Sequence, residues 1–234
     1  MREHLVFTLA AALGATGEFA GHERRGSVGW PGRSAILGLV AAALGVRRDE
    51  PNRLAALEAL KVAVAVFAEG EPVRDYHTVM TIPTAKARRP DSRRAAFEMA
   101  DGEINTTITI RDYRASPLFG VALWGEDLLP LIRALSKPHF TLYLGRKSCP
   151  LAAPMLPQLV QAENPLEALA AVKLPPWYIE ETASRVYSDA FEDASNSAIL
   201  EQRHDIAIDR QKWHFAPRQV LRFSTSIVAR ASAP

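Results

Sequence analysis

The run from Lys137 to Pro150 reads KPHFTLYLGRKSCP, and it sets three cations and a hydroxyl around one glycine, directly after a short apolar stretch. Those residue types suit a phosphate. Gly145 can take backbone angles closed to other residues and so let amide N–H groups converge on an anion; Arg146 and Lys147 would neutralise it, and Ser148 would donate a hydrogen bond. The competing assignment is an ordinary basic surface turn. Cys149 ends the loop; its small, soft side chain suits packing, with direct contact to a bound strand as the alternative.

A second anion site is expected where Arg33 and Ser34 open a helix, with Ser34 as N-cap and Arg24 and Arg25 in the preceding loop, because the helix dipole adds to the formal charges. Residues 74–94 hold six cations against two acids and are interrupted by Pro83 and Pro90, so this stretch is not core. Lys86, Arg88, Arg89, Arg93 and Arg94 are its candidates for backbone contacts to a nucleic acid.

Metal-free RNA cleavage would need a base beside a 2′-hydroxyl, an acid for the leaving oxygen and a cation for the developing charge. Tyr76, His77, His22 and Lys86 are the available groups. Neighbouring residues on a strand face opposite ways, so Tyr76 and His77 do not converge on one phosphate, although His77 can still hydrogen-bond to RNA. No Gly-x-x-x-x-Gly-Lys-Ser/Thr, His-Glu-x-x-His or Gly-x-Ser-x-Gly pattern is present, and Gly14 and Gly17 form only an incomplete dinucleotide fingerprint. Six separate histidines and one cysteine make no metal centre, so neither metal nor cofactor is expected.

The elements that position these groups follow from the apolar pattern. At 234 residues and 48% hydrophobic content the chain can bury a substantial core. Its net charge of +2 is unevenly spread: residues 1–150 carry 20 Lys/Arg against 16 Asp/Glu, and residues 151–234 carry 8 against 10. The first part is the expected anion binder. A single cysteine excludes an internal disulfide and fits a reducing compartment, here the cytoplasm. Leu5–Leu13 could pass for a signal-peptide core, but Glu3 sits in the would-be positive region and a strand reading serves as well. No apolar run approaches the ~20 residues that span a bilayer, and no membrane partner is expected.

His4–Ala11 reads as a buried strand. Ile36, Leu37, Val40 and Leu44 form a helical stripe closed by Gly45, and a second helical stretch follows at Arg53–Leu60. Lys61–Phe67 and Leu118–Trp124 read as strands, Glu126–Ser136 as a helix and Phe140–Leu144 as a further strand. With residues 74–114 removed, the order strand, helix, strand, strand, helix, strand predicts a ferredoxin-like (RRM-type) α+β domain over 1–73 and 115–150. The aromatic-rich signature of an RNA-recognition motif is missing. Ile104–Ile110 alternates, so 74–114 is expected to be an inserted β-hairpin with a basic tip. Residues 151–234, proline-rich and then acidic across Glu180–Asp209, are expected to form a small β-rich subdomain around His204–Ile208 and Gln219–Phe223. The acidic stretch is either a solvated face or a docking surface for a basic subunit.

Three separated stretches carry a resemblance: Gly32–Gly45, Val73–Val79 with its Arg74-Asp-Tyr-His77, and Lys137–Pro150. In this order they resemble the CasD family of type I-E CRISPR Cascade subunits, of the RAMP superfamily; beyond about Leu151 the match is loose. The resemblance implies a non-catalytic RNA-binding subunit that caps the 5′ handle of the CRISPR RNA in antiviral defence, with the 74–114 insertion as a thumb. It further implies contacts to the Cascade backbone subunit and large subunit, and to target DNA indirectly through the guide. Type I-C relatives cleave the CRISPR transcript, so a metal-independent endoribonuclease is the alternative. A scaffold whose basic surfaces meet acidic proteins is another.

Overall fold

The computed structural model describes residues 1–17, 21, 23–83, 85, 86, 89–192, 194, 198–209, 212 and 214–231. In chain order its strands are β1 (Arg2–Ala10), β2 (Leu13–Gly14), β3 (Arg24–Arg25), β4 (Lys61–Ala68), β5 (Glu71–Thr81), β6 (Asn105–Ala115), β7 (Leu118–Trp124), β8 (Gln158–Ala162), β9 (Lys173–Leu174), β10 (Glu180–Ser188), β11 (Ile199–Asp209) and β12 (His214–Ala231). The helices are α1 (Arg33–Ala43), α2 (Pro51–Leu57), α3 (Arg93–Met99), α4 (Leu129–Ser136) and α5 (Pro165–Leu169). The result is a mixed α/β chain dominated by two sheets.

The main sheet runs β11-β12-β10-β4-β7-β1-β8, antiparallel at every step, with β9 added parallel to β12. Its central strands are apolar on both faces because both are covered. Val62, Val64 and Val66 of β4 enter the core beneath α1 and α4, while Ala63 and Ala65 enter a second core beneath α5. Burial at the scale of ~0.8 kcal/mol per CH₂ makes these strands the least tolerant part of the chain.

Three differences from the sequence-based expectations have physical causes. Phe140–Leu144 is not a sheet strand. His139 N–H and Phe140 N–H bond to the carbonyls of Ala43 and Ala42, so this segment closes the C-terminal end of α1, and Leu142 and Leu144 drop into the core as packing. The strand beside β1 comes instead from β8, beyond Pro150. The boundary expected at 150 therefore falls inside the sheet: β8 flanks β1, β10 pairs with β4, and β11 and β12 continue outward from it. Third, Ser34 does not cap α1. Gly32 occupies the cap position, and the Arg33 N–H is taken by Asp205 Oδ2 at 2.7 Å.

The inserted segment is a long antiparallel hairpin, paired without interruption from Glu71↔Ala115 to Thr81↔Asn105. Eleven residues per arm make it roughly 33 Å long. Near its tip lies the unexpected α3, capped by Ser92, whose Oγ accepts from the Ala95 N–H. The free edge of β6 is covered by β2 and, in parallel register, by β3.

Candidate nucleic-acid interface

The side chains of β6 alternate between two faces, and the cross-strand register assigns their neighbours. On one face Thr109, Arg111 and Tyr113 lie opposite His77, Asp75 and Val73, with Arg25 of β3 beside Arg111. On the other face Ile108, Ile110 and Asp112 lie opposite Thr78, Tyr76 and Arg74, with Arg24 beside Ile110.

The Gly145–Ser148 loop docks on the first face. Gly145 holds φ +88°, and a Cβ there would stand 1.8 Å from the Ala15 carbonyl oxygen, so only glycine fits. The turn is fixed by Ala15 N–H to Leu144 O at 3.0 Å and by Cys149 N–H to Arg146 O at 2.8 Å. Arg146 donates from Nη2 to the Arg25 carbonyl at 3.1 Å, and its guanidinium lies 4.4 Å from the centre of the Tyr113 ring. Burial alone would raise the Tyr113 phenol, but hydrogen bonds from Arg146 and Ser148, with the Arg146 charge, outweigh it and leave the group below the usual tyrosine value. Cys149 is fully buried against Ala15 and Tyr113, a packing position.

The loop, Arg25, Arg111 and His77 thus share one surface. Lys147 is exposed and makes no ion pair among the described residues. Thr109 Oγ1 and Arg146 Nη1 on the same face are buried without hydrogen-bond partners among those residues, and a pocket of about 40 Å³ lies between Glu23, Arg25, Thr109 and Arg111. Such a surface can hold a polyanion by direct charge and amide or hydroxyl donors.

The other sequence-derived residues separate into distinct places. Arg33 faces inward: it donates to the carbonyls of Leu60 and Glu58 at 2.6 Å each and pairs with Asp189 at 3.0 Å, which removes it from any external ligand. The anion expected at its helix terminus is an internal carboxylate, Asp205. Arg24 lies on the far face of the hairpin, paired with Asp112. At the hairpin tip Lys86 pairs with Glu103, Arg94 with Glu98, and Arg93 covers the Phe97 ring while donating to the Met80 carbonyl. Arg89 is exposed with φ +49°, and Arg88 and His22 lie outside the described residues. Tyr76 and His77 occupy opposite faces, and His77 Nε2 contacts the Asp75 carboxylate.

Arg111 and Tyr113 escape a reading of the sequence because the apolar alternation ends at Ile110, where two charged residues follow, while the strand itself runs on for five more residues to Ala115. Among the described residues no cluster of three or more His, Cys, Asp or Glu side chains is placed to hold a metal ion, and no helix is long and apolar enough to cross a membrane.

Comparison with known proteins places this architecture. Residues 4–221 match the family model described as CRISPR-associated protein (Cas5). The Escherichia coli (strain K12) protein named CRISPR system Cascade subunit CasD is 34% identical over 185 residues, covering 72% of this chain and 76% of its own. Among solved structures, a chain of a CRISPR RNA-guided surveillance complex superposes with a TM-score of 0.69 at 26% identity, covering 99% of this chain and 94% of that one. A crystal structure of a Cas protein has the same fold at a TM-score of 0.62 and 24% identity, covering 99% of this chain and all of that one. With the family model spanning nearly all of the sequence and CasD similar over most of it, the chain belongs to the Cas5 family of CRISPR-associated proteins.

Proposed function

We propose that this chain is the non-catalytic RNA-binding subunit of a type I-E Cascade surveillance complex, acting in the cytoplasm and capping the 5′ handle of the CRISPR RNA. The observation that carries the reading is the convergence of Arg25, Arg111, His77 and the Gly145–Ser148 loop on one face, with Arg146 fixed between Tyr113 and the Arg25 carbonyl. The similarity to CasD and to a chain of an RNA-guided surveillance complex supports it. In this reading β4, β7, β1 and β8, with α1 and α4, are a ferredoxin-like unit in which β8 serves as the fourth strand. The β5–β6 hairpin is the thumb, reaching the backbone subunit and the guide, and the large subunit and target DNA are met through the assembly. Separation of Tyr76 from His77 across the hairpin supports a binding rather than a cleaving role.

Replacing Arg146 and Lys147 by alanine tests the site. Binding to a repeat-handle RNA should weaken, and the slope of log affinity against log salt should flatten by about 0.7 per lost phosphate contact. An unchanged slope would show that the loop is not the site. Chelator-resistant cleavage of repeat RNA, lost on His77→Ala, would replace the binder with a ribonuclease.

A further inference from the structure

The far face of the hairpin carries a repeated arrangement that the handle site does not use. Asp112 is held between Arg74 of β5, at 2.8 Å, and Arg24 of β3, at 3.1 Å. Two residues further along β6, about 6.7 Å on, Arg114 lies 3.9 Å from Glu69, whose other oxygen takes Arg185 of β10 at 2.6 Å. Arg185 lies opposite Ser224 and Arg222 opposite Tyr187, so the two arginines are diagonal neighbours on one face of the β10–β12 pair. Arg222 then holds Glu201 at 2.8 Å, and Arg203 of β11 reaches the same carboxylate at 3.5 Å.

Three carboxylates thus each sit between two arginines from different strands. Six guanidiniums against three acids leave a net charge of +3 along a line from the hairpin into the outer strands. A ladder meant only to weld strands would be neutral, one cation to one acid. Here every carboxylate is about two-thirds or more covered, while Arg24 and Arg74 remain roughly half exposed or more, Arg185 and Arg203 about a third exposed, and Arg114 and Arg222 about a quarter. Hydrogen bonds from Arg74 and Arg24 hold the Asp112 carboxyl below its ordinary value, so it stays anionic and keeps both forks oriented. A pre-oriented planar fork loses less freedom on gripping a phosphate than a mobile one. Tyr76 adds an exposed ring beside Arg74 on the same face, a stacking plane for a base.

We propose that this arginine track, running from Arg24 and Arg74 through Arg114 and Arg185 to Arg222 and Arg203, is a second binding surface, for the phosphate backbone of a single-stranded nucleic acid. Its charge comes in singly positive steps, which matches a chain of singly charged phosphates, and Tyr76 favours a strand with free bases over an acidic peptide.

The test uses the full chain and a fluorescent twelve-nucleotide oligouridylate, in both the parent and the Arg146→Ala/Lys147→Ala background. Arg185→Ala/Arg222→Ala should flatten the salt slope by about 1.4 in each background, from 0.7 for each of two lost contacts. Glu69→Gln and Glu201→Gln should each tighten binding at 50 mM salt by about threefold or more, since each removes a competing negative charge. A strand-welding ladder would give no such gain. The proposal is overturned if the glutamine variants, folded by circular dichroism, bind no tighter, or if the slope is unchanged in the alanine pair. It is equally overturned, in favour of a protein partner, if a twelve-residue oligoglutamate binds as tightly with the same dependence on these residues. Use of the loop-deficient background keeps the outcome separate from that of the handle site.

Discussion

Replacing Asp189 by alanine should destabilise the chain more than any surface change. One of its oxygens takes Arg33 Nη1 at 3.0 Å and the Val62 N–H at 2.8 Å, and the other takes Arg218 Nη1 at 2.6 Å. Both guanidiniums and the carboxylate are nearly inaccessible to water. Breaking a buried pair by removing one partner costs about 3–5 kcal/mol, because the remaining charge stays desolvated. The low end applies here. Arg33 retains the carbonyls of Leu60 and Glu58, and Arg218 retains Asp205. An orphaned Val62 N–H adds roughly 1–3 kcal/mol. At about 2–4 °C per kcal/mol for a chain of this size, a loss near 4 kcal/mol lowers Tm by about 8–16 °C.

Differential scanning calorimetry on RNA-free protein reads that shift. A double-mutant cycle with Arg33→Met should give a coupling of about 1–3 kcal/mol, since the two groups are in contact. A Tm within about 3 °C of the parent, or a coupling near zero, would refute the claim that this network is closed to solvent and shared between α1, β4, β10 and β12.

Gly145→Ala should lose both stability and handle affinity, because a Cβ would overlap the Ala15 carbonyl and φ +88° is strained for alanine at about 1–3 kcal/mol; a variant as stable and as tight-binding as the parent would contradict the loop geometry. Burial lowers the pKa of His4, so the native state binds fewer protons than the unfolded one below about pH 6.5. Stability should therefore fall as pH drops from 7 towards 5, and the urea midpoint of His4→Phe should fall less over that range. Deleting the tip, residues 83–103, should leave most of the thermal transition intact, because α3 has no extensive contact with any other described element and touches the hairpin through Arg93, which donates to the Met80 carbonyl; insolubility of that deletion would show that the tip supports the core.

What the sequence made legible was whatever is decided locally. Lys61–Ala68 and Leu118–Trp124 are apolar on both faces, a pattern that only a covered central strand satisfies, and both were found within a residue. The hairpin was legible because Ile104–Ile110 alternates and the prolines mark its tip. What failed depended on distant partners. Leu142 and Leu144 have strand-like composition, but the backbone before them is claimed by the end of α1, a contact over nearly a hundred residues. The strand Gln158–Ala162 is five residues long and bracketed by prolines, too brief for its period to register. The helix α3 had a usable signal, Ser92 before Arg-Arg-Ala-Ala-Phe-Glu-Met, which the surrounding charge obscured.

The arginines show why a basic sequence does not by itself mark a binding surface. Arg33 and Arg146 look alike in the chain, each directly after a glycine with a serine one or two residues on. Arg33 ends in the core because Asp189, 156 positions later, returns at the end of β10, just past its last residue, to meet it. Arg146 stays at the surface because its neighbours are a ring and a carbonyl, groups that orient a cation without neutralising it. Between these extremes stand the paired arginines of the hairpin's far face, where each acid is divided between two cations. The charge available to a ligand is therefore set by the ratio of cations to acids around each carboxylate, two to one at Asp112, Glu69 and Glu201. In the buried network Arg33 and Arg218 meet Asp189, Asp205 and Glu58, and nothing positive is left over. That ratio exists only once strands far apart in sequence are paired, so the sorting of this chain's arginines into those neutralised in the fold and those with charge left over is a property of its topology.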